Sequence, residues 1–484
     1  MSLGTILINI RDGGLAISGS SNANTAVVLG WCSKVSTWSP YPALQSFTQP
    51  SDVATALGYG PGPEAAATIL NTSGGTVYVM PVQQSAAGVV GSWTPTHTGT
   101  GTISVSSGTP YDRYKLLVKV VNTPATFLVS TGNVAVQVSL DNGVNWGNYT
   151  LVPSTGVLAL SKAGGAVLGD TGLTLTLDNG TFKVGDQFAC PMKEPYFTGT
   201  QIAAAFTALL GDPRTWSLVN LATIADSGSD QAALYTSLVT GMAATTAAYR
   251  YARSFMSAFP DTDSNIISAW SSSPDNTRIN VAATTDNVFS PLIASVIERP
   301  HSNALVARLC GISPSRSPGY ADDGPLTSVV STNRDERATP GLIDQRFSTA
   351  VTVINRNGVY TDGEGRMHVA GTSDFSNVMN CRVMDLCCNA LVQAALHFQN
   401  DTVTLVNGLI SALDASRIQQ YVRAKIIAVA GSELSDVTVS VYASDNILST
   451  QTLRANISIV PKGYFKNVEF DVGFENPNIT AQAA

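Results

Sequence analysis

Residues 24–82 alternate short apolar runs with helical stretches; the alternation stops at about Gln83 and resumes after Lys193. That interruption constrains the fold more than any motif, because buried parallel strands and tight hairpins belong to different layers. NTAVVLGWCS (24–33) and GGTVYVMPV (74–82) read as strands apolar on both faces. Between them, PSDVATALGYGPGPEAAATILN (50–71) reads as helix, Gly/Pro turn, helix. Such strands, separated by helices, predict a parallel sheet covered on both sides.

From 86 to 192 the chain is strand and turn throughout: GTISVSS, YKLLVKVV, VAVQVSLDNG, YTLV, GLTLTLDNGTF and VGDQFAC. Asn142-Gly143 and Asn179-Gly180 are expected at hairpin turns. The block predicts a β-sandwich-like domain inserted into the α/β one. The α/β rhythm then returns. TGTQIAAAFTALLGDP is a helix capped by Thr198 or Thr200, followed by strand WSLVNLAT, a long helix over 227–249, strand RSFMSAF, helix NIISAWSS and strand RINVAATT. The fold class expected is therefore α/β and α+β multidomain: a split α/β core (25–85 and 193–330), the insertion (86–192), and a C-terminal helix-and-strand domain (331–465). In the last, TAVTVINRNGVYT and GRMHVAGT read as strands, 377–399 and 416–430 as helices, and DVTVSVYAS and TLRANISIVP as strands.

Both ends carry a strand with no local partner. In TILINIRDGG, Ile6, Ile8 and Ile10 face one way, and the small polar residues that follow offer no hairpin. In NVEFDVGFEN, Val468, Phe470, Val472 and Phe474 oppose Asn467, Glu469, Asp471 and Gly473. An unpaired strand leaves a row of N–H and C=O groups open to another chain. The expected arms are 1–24 and 466–484.

Charged residues make up 13% of the chain, about half the usual ~25%, as expected when much of a surface is covered in an assembly. Net charge is −7 with no basic run, which argues against a nucleic-acid partner. No apolar stretch reaches the ~18 residues of a membrane span, and the N-terminus lacks the pattern of a Sec signal. Six scattered cysteines without a CxxC predict free, buried thiols and no metal.

No catalytic constellation emerges. GTSDFSN (371–377) is similar to the nucleophile turn of subtilisin-type proteases, but Ser373 needs a base and a carboxylate. His97, His301, His368 and His397 each lie outside a Gly-rich, base-bearing context; a Gly turn with a helix-capping Ser or Asp is the expectation. GYGPGP (58–63) lies between helices and not between strand and helix, so it reads as a connector. DNGVN (141–145) lacks the later acidic ligand of a calcium loop and reads as a turn. Cys381, Met384 and Cys388 are expected to form a core face. Arg337, Arg356, Arg366 and Arg382 gather in the C-terminal unit as solvated charge or inter-subunit ion-pair partners. No cofactor is implied.

The order of these segments resembles the sheath protein of contractile tails, found in bacteriophages and related injection machines. TAVVLGWCSK, SDVATALGYG with AAATILNTSGGTVYVMPV, VINRNGVYTDGEGRMHVAGTSDFSNVMNCRVMDLCCNAL and ISIVPKGYFKNVEFDVGFEN carry the resemblance. The family's aromatic-Gly-Ala-Arg-Thr stretch stands here as His368-Val369-Ala370-Gly371-Thr372, without the arginine.

The resemblance implies a non-enzymatic structural subunit. It would stack in sixfold rings around a tail tube, bounded by baseplate and tail terminator proteins, in a virion tail assembled in the bacterial host cytoplasm. Contraction would drive the tube through a cell envelope. The two arms would add strands to a sheet in a neighbour's C-terminal domain, with SGSSNAN as a hinge. A β-rich tail fibre or surface adhesin is the alternative, against which the long α/β region speaks.

Overall fold

The computed structural model describes residues 22–35, 41–122, 129 and 134–474. Its centre is a sheet in the order Ile279–Ala282, Arg253–Ser257, Leu218–Leu221, Ala26–Gly30, Val77–Pro81, Gln45–Phe47, parallel except for the last strand. Alternate residues of each strand feed opposite faces. Val27 and Leu29 join one cluster, and Ala26 and Val28 the other. The first face is covered by α3 (Gly199–Gly211), α4 (Gly228–Ala247) and α5 (Asp263–Trp270). The second is covered by α1 (Pro50–Leu57), α2 (Pro61–Ser73), α6 (His301–Gly311) and the start of α7 (Val378–Phe398). The α1–α2 connector brings α2 tight against the sheet: a Cβ on Gly62 would stand 3.0 Å from the Gly30 carbonyl.

The chain leaves this body and returns to it at one point. Ser85 N–H donates to the Tyr196 carbonyl at 2.8 Å, and Tyr196 N–H to the Ala86 carbonyl at 3.0 Å. Between them lie two antiparallel sheets, one built on Gln187–Lys193, Lys115–Asn122 and Ala135–Ser139, the other on Val157–Leu160, Leu173–Leu177 and Ile103–Gly108. Both feed one apolar cluster, which also takes in Tyr59, Ile293 and Ile297 from outside the block.

Asn142 and Gly143 adopt the left-handed backbone expected of a turn, at φ 57° and 90°. Asn179-Gly180 does not close a hairpin: Leu173–Leu177 and the following strand Gln187–Lys193 pair in different sheets. Two further expectations are corrected. Residues 349–361 form two short strands, Ala350–Thr352 and Val359–Thr361, turned back on each other through Asn355 at φ 59°. GRMHVAGT makes a single bridge, Met367 to Asn280, because it lies across the edge of the central sheet.

Beyond it, α7 and α8 (Ala412–Ala430) pack together, and an antiparallel pair, Leu434–Val441 with Ala455–Pro461, lies against α8. Their cluster holds Val383, Leu386, Cys387, Ile418, Ile426, Val437 and, from the chain's other end, Ala23. A short α9 (Ile447–Thr450) sits in the connection between the paired strands. α7 therefore serves two cores. Of the face expected from Cys381, Met384 and Cys388, Cys381 is buried, whereas Met384 and Cys388 are half-buried; the neighbouring Cys387 is buried in the second core. A buried ion pair fastens α7 to the central sheet: Arg253 meets Asp385 at 2.5 and 2.7 Å, and Arg278 reaches the same carboxylate at 3.1 Å.

Candidate assembly surface

The paired strands Leu434–Val441 and Ala455–Pro461 form a sheet of only two. Leu434, Val437 and Val441 bury one face against α8, and Val439, Ile457 and Ile459 are half-buried beside them. Neither outer edge has a strand partner among the described residues. One edge group is met from the side, where Arg423 Nε donates to the Val437 carbonyl at 3.0 Å. Two twisted strands on one helix make a small layer with open backbone donors and acceptors.

The chain runs from this sheet into residues 462–474, every one exposed. Val468 is 64% exposed, Phe470 82%, Val472 93% and Phe474 fully so. They join no ladder among the described residues. Ile6, Ile8 and Ile10 lie outside the described residues. Val468, Phe470, Val472 and Phe474 thus form a bare apolar alternation that follows the open sheet in sequence.

The roots of both terminal segments are tied to the body. Arg382, fully buried on α7, donates to Asn24 Oδ1 at 2.7 Å, the Ala23 carbonyl at 3.3 Å and the Leu309 carbonyl at 2.8 Å. Among the described residues no carboxylate pairs with it directly, and burial, only partly offset by Cys310 and Glu433, pulls its guanidinium down to about 10. At the other root, Lys466 Nζ meets Glu364 Oε1 at 2.6 Å, and Tyr464 OH lies 3.4 Å from the same oxygen. Of the other arginines, Arg366 pairs with Glu364 at 2.8 Å and Arg356 with Asp322 at 2.6 Å. Arg337 donates its backbone N–H to Asp335.

The motifs tested for chemistry resolve as structure. Ser373 Oγ accepts from Phe375 N–H at 3.2 Å and has no histidine partner. His368 is buried against Tyr235 and Trp270, with ring centroids 5.4 and 5.1 Å away, and neither ring nitrogen finds a hydrogen bond. Burial pushes it down to about 4, so the ring is neutral. The cap of α7 is Asn377, not the Ser or Asp expected. Asp141 gathers Asn145 and Val296 N–H groups at 2.8 and 2.9 Å, tying the insertion to the core.

Two buried groupings have no signature in the sequence. Arg299 and Asp112 form a double contact at 2.6 Å across the base of the insertion, near the buried Glu64. His301 Nδ1 lies 2.7 Å from Asp286, with Nε2 3.2 Å from Thr361 Oγ1. That Thr-His-Asp row has no exposed member and joins three elements. No group of metal-ligating side chains and no helix able to cross a membrane occurs among the described residues.

The sequence profile of the DUF2586 N-terminal domain matches residues 3–364. The chain belongs to the DUF2586 family. Among solved structures, this DUF2586 chain is similar to the anti-feeding prophage (AFP) helical sheath in its contracted state. There the identity is 10% and the TM-score 0.52, over 98% of this chain and 99% of that one. A chain of the sixfold-symmetrised AFP baseplate matches at 10% identity and TM-score 0.52, over 98% and 100%. The contracted sheath complex of an extracellular contractile injection system, PVC, matches at 9% and 0.52, over 98% of each chain. No curated protein sequence matches. At such identities the shared property is the fold, and the DUF2586 chain carries it nearly from end to end.

Proposed function

We propose that this chain is the structural subunit of a contractile sheath. The observation that carries the reading is the likeness to sheath chains over 98% of this chain. The open two-stranded sheet and the bare alternation at 468–474 support the mode of assembly. Neighbours' arms, through Ile6, Ile8 and Ile10 on one side and Val468, Phe470, Val472 and Phe474 on the other, add strands to that sheet. Main-chain hydrogen bonds supply the link, and the alternating side chains fix its register.

In this reading the units are the split core, the insertion, the C-terminal domain and two arms. Subunits stack in rings of six around a tube protein, between a baseplate and a terminator, in a phage tail or a phage-derived particle. Contraction is a rigid-body rearrangement in which the arms keep neighbours linked, and no step requires catalysis. The adhesin alternative has no supporting feature in the fold.

The test is negative-stain electron microscopy of the purified chain beside a version lacking residues 1–20. Sleeves or rings from the first and none from the second are expected. Monomers from both, across salts and concentrations, would refute the sheath reading.

A further inference from the structure

The side-chain hydrogen bonds of the C-terminal segment to the body converge on one carboxylate. Among the described residues, the side-chain hydrogen bonds joining 462–474 to the rest of the chain come from Tyr464 and Lys466, and both end on Glu364 Oε1. Glu364 is itself fixed. Its backbone N–H and that of Gly365 donate to Asp362 Oδ1 at 3.0 and 2.7 Å, and its carbonyl accepts from Val378 N–H, at the start of α7, at 3.0 Å. Arg366 holds the other carboxylate oxygen at 2.8 Å. That arginine is wedged against the next turn, where a Cβ on Gly371 would come within 2.5 Å of Nη2. Glu364 is 8% exposed, while Lys466 is largely in solvent. A rigid anion thus meets a cation on an exposed segment that joins no ladder among the described residues. Burial raises the Glu364 carboxyl, and Lys466 and Arg366 more than offset it, so the group sits below its usual range.

We propose that Glu364 is a positioning residue for the C-terminal arm, clamping its root to the subunit body so that the arm pivots beyond Lys466 and not at the end of its last strand, Pro461. The assignment rests on the sheath reading for what the arm does, but the clamp is a property of the single subunit. It keeps Tyr464, Phe465 and Lys466, with Val468 at the groove's end, along a groove of about 680 Å3 formed with Ser315, Arg316 and Tyr320. Because Glu364 is bonded to the start of α7, and α7 carries Arg382 on the N-terminal root, the two arms leave from one connected piece of the chain. Arm motion during contraction then leaves the spacing of the two roots unchanged.

The clamp predicts a difference in protease access along the arm, because cleavage requires the strand to lift into the enzyme. Chymotrypsin acting on the full-length free subunit should cut after Phe470 and Phe474 before it cuts after Phe465. Glu364→Gln and Lys466→Met should each speed the Phe465 cut about fivefold and leave the Phe470 cut unchanged, which serves as the internal control for folding. Raised salt should move the wild-type rate toward the variants and leave Lys466→Met unaffected. A Phe465-to-Phe470 ratio that is the same in wild type and both variants would overturn the clamp. The digestion uses free subunits, so its outcome is independent of whether sleeves form. Absent sleeves in the imaging experiment would count against the sheath reading alone.

Discussion

At the scale of single residues, the body is held by ions buried where distant segments meet. Glu64 is the clearest case with a measurable consequence. It sits fully buried on α2; burial pushes its carboxyl up to about 7 against the pull of Arg299, with a smaller push from the nearby Asp112 carboxylate. An acid whose native value lies above its unfolded value of about 4.5 binds its proton more tightly when folded. Its contribution to stability is therefore whole below that lower value and is lost as pH rises toward the upper one. The loss is of order 3 kcal/mol, from ~1.4 kcal/mol for each unit of difference. Glu64→Gln should raise the denaturant midpoint at pH 8 and leave it nearly unchanged at pH 4. A variant no more stable than wild type at pH 8 would show that the carboxyl ionises without cost. None of this was legible in the sequence, since Asp112 and Arg299 are 187 positions apart and nothing local marks either as buried.

At the scale of elements, what was readable depended on how local the cause is. α4 and α7 follow from long helix-forming runs without Pro, read at 227–249 and 377–399, although the caps that start them, Ser227 and Asn377, were not read. The central strands follow from unbroken apolar runs. Asn179-Gly180 misled because a turn dipeptide reports only its own backbone, while strand pairing is decided by which sheet has room. GRMHVAGT misled because apolar residues crossing a sheet edge look like a strand. The insertion was visible as a block, but its attachment was not. Ser85 and Tyr196 already touch, so joining them by a short turn after excision of 86–195 closes the core without strain. Excision would, however, uncover Tyr59, Ile293 and Ile297 and leave Arg299 without Asp112. A buried pair broken on one side costs ~3–5 kcal/mol, less where water now reaches the survivor. The excised chain should melt below the parent, and adding Ile293→Ser, Ile297→Thr and Arg299→Gln should recover part of the loss. Full stability in the plain excision would mean that the insertion and core do not share a cluster.

For the whole molecule, the telling contrast is between a closed body and open ends. The body places its apolar strands between helices on both faces, whereas 468–474 leaves two valines and two phenylalanines bare. The alternation, and the lack of a local partner for it, were legible at both termini; the proposal that another copy supplies that partner is what the next variant tests. The contrast separates stability from assembly. Replacing Val468, Phe470, Val472 and Phe474 by Ser removes no contact that the single subunit's stability depends on, so its melting temperature should stay within about a degree of the parent, as for surface substitutions generally. In an assembled link each large side chain is worth roughly 1.5–3 kcal/mol when buried. Four together outweigh what backbone hydrogen bonds, at about 1 kcal/mol each, return after the strand is ordered. The variant should therefore be a folded monomer by light scattering, at concentrations where the parent forms sleeves. Sleeves of normal length from the serine variant would place the link elsewhere, and a lowered melting temperature would mean that the segment packs on its own subunit.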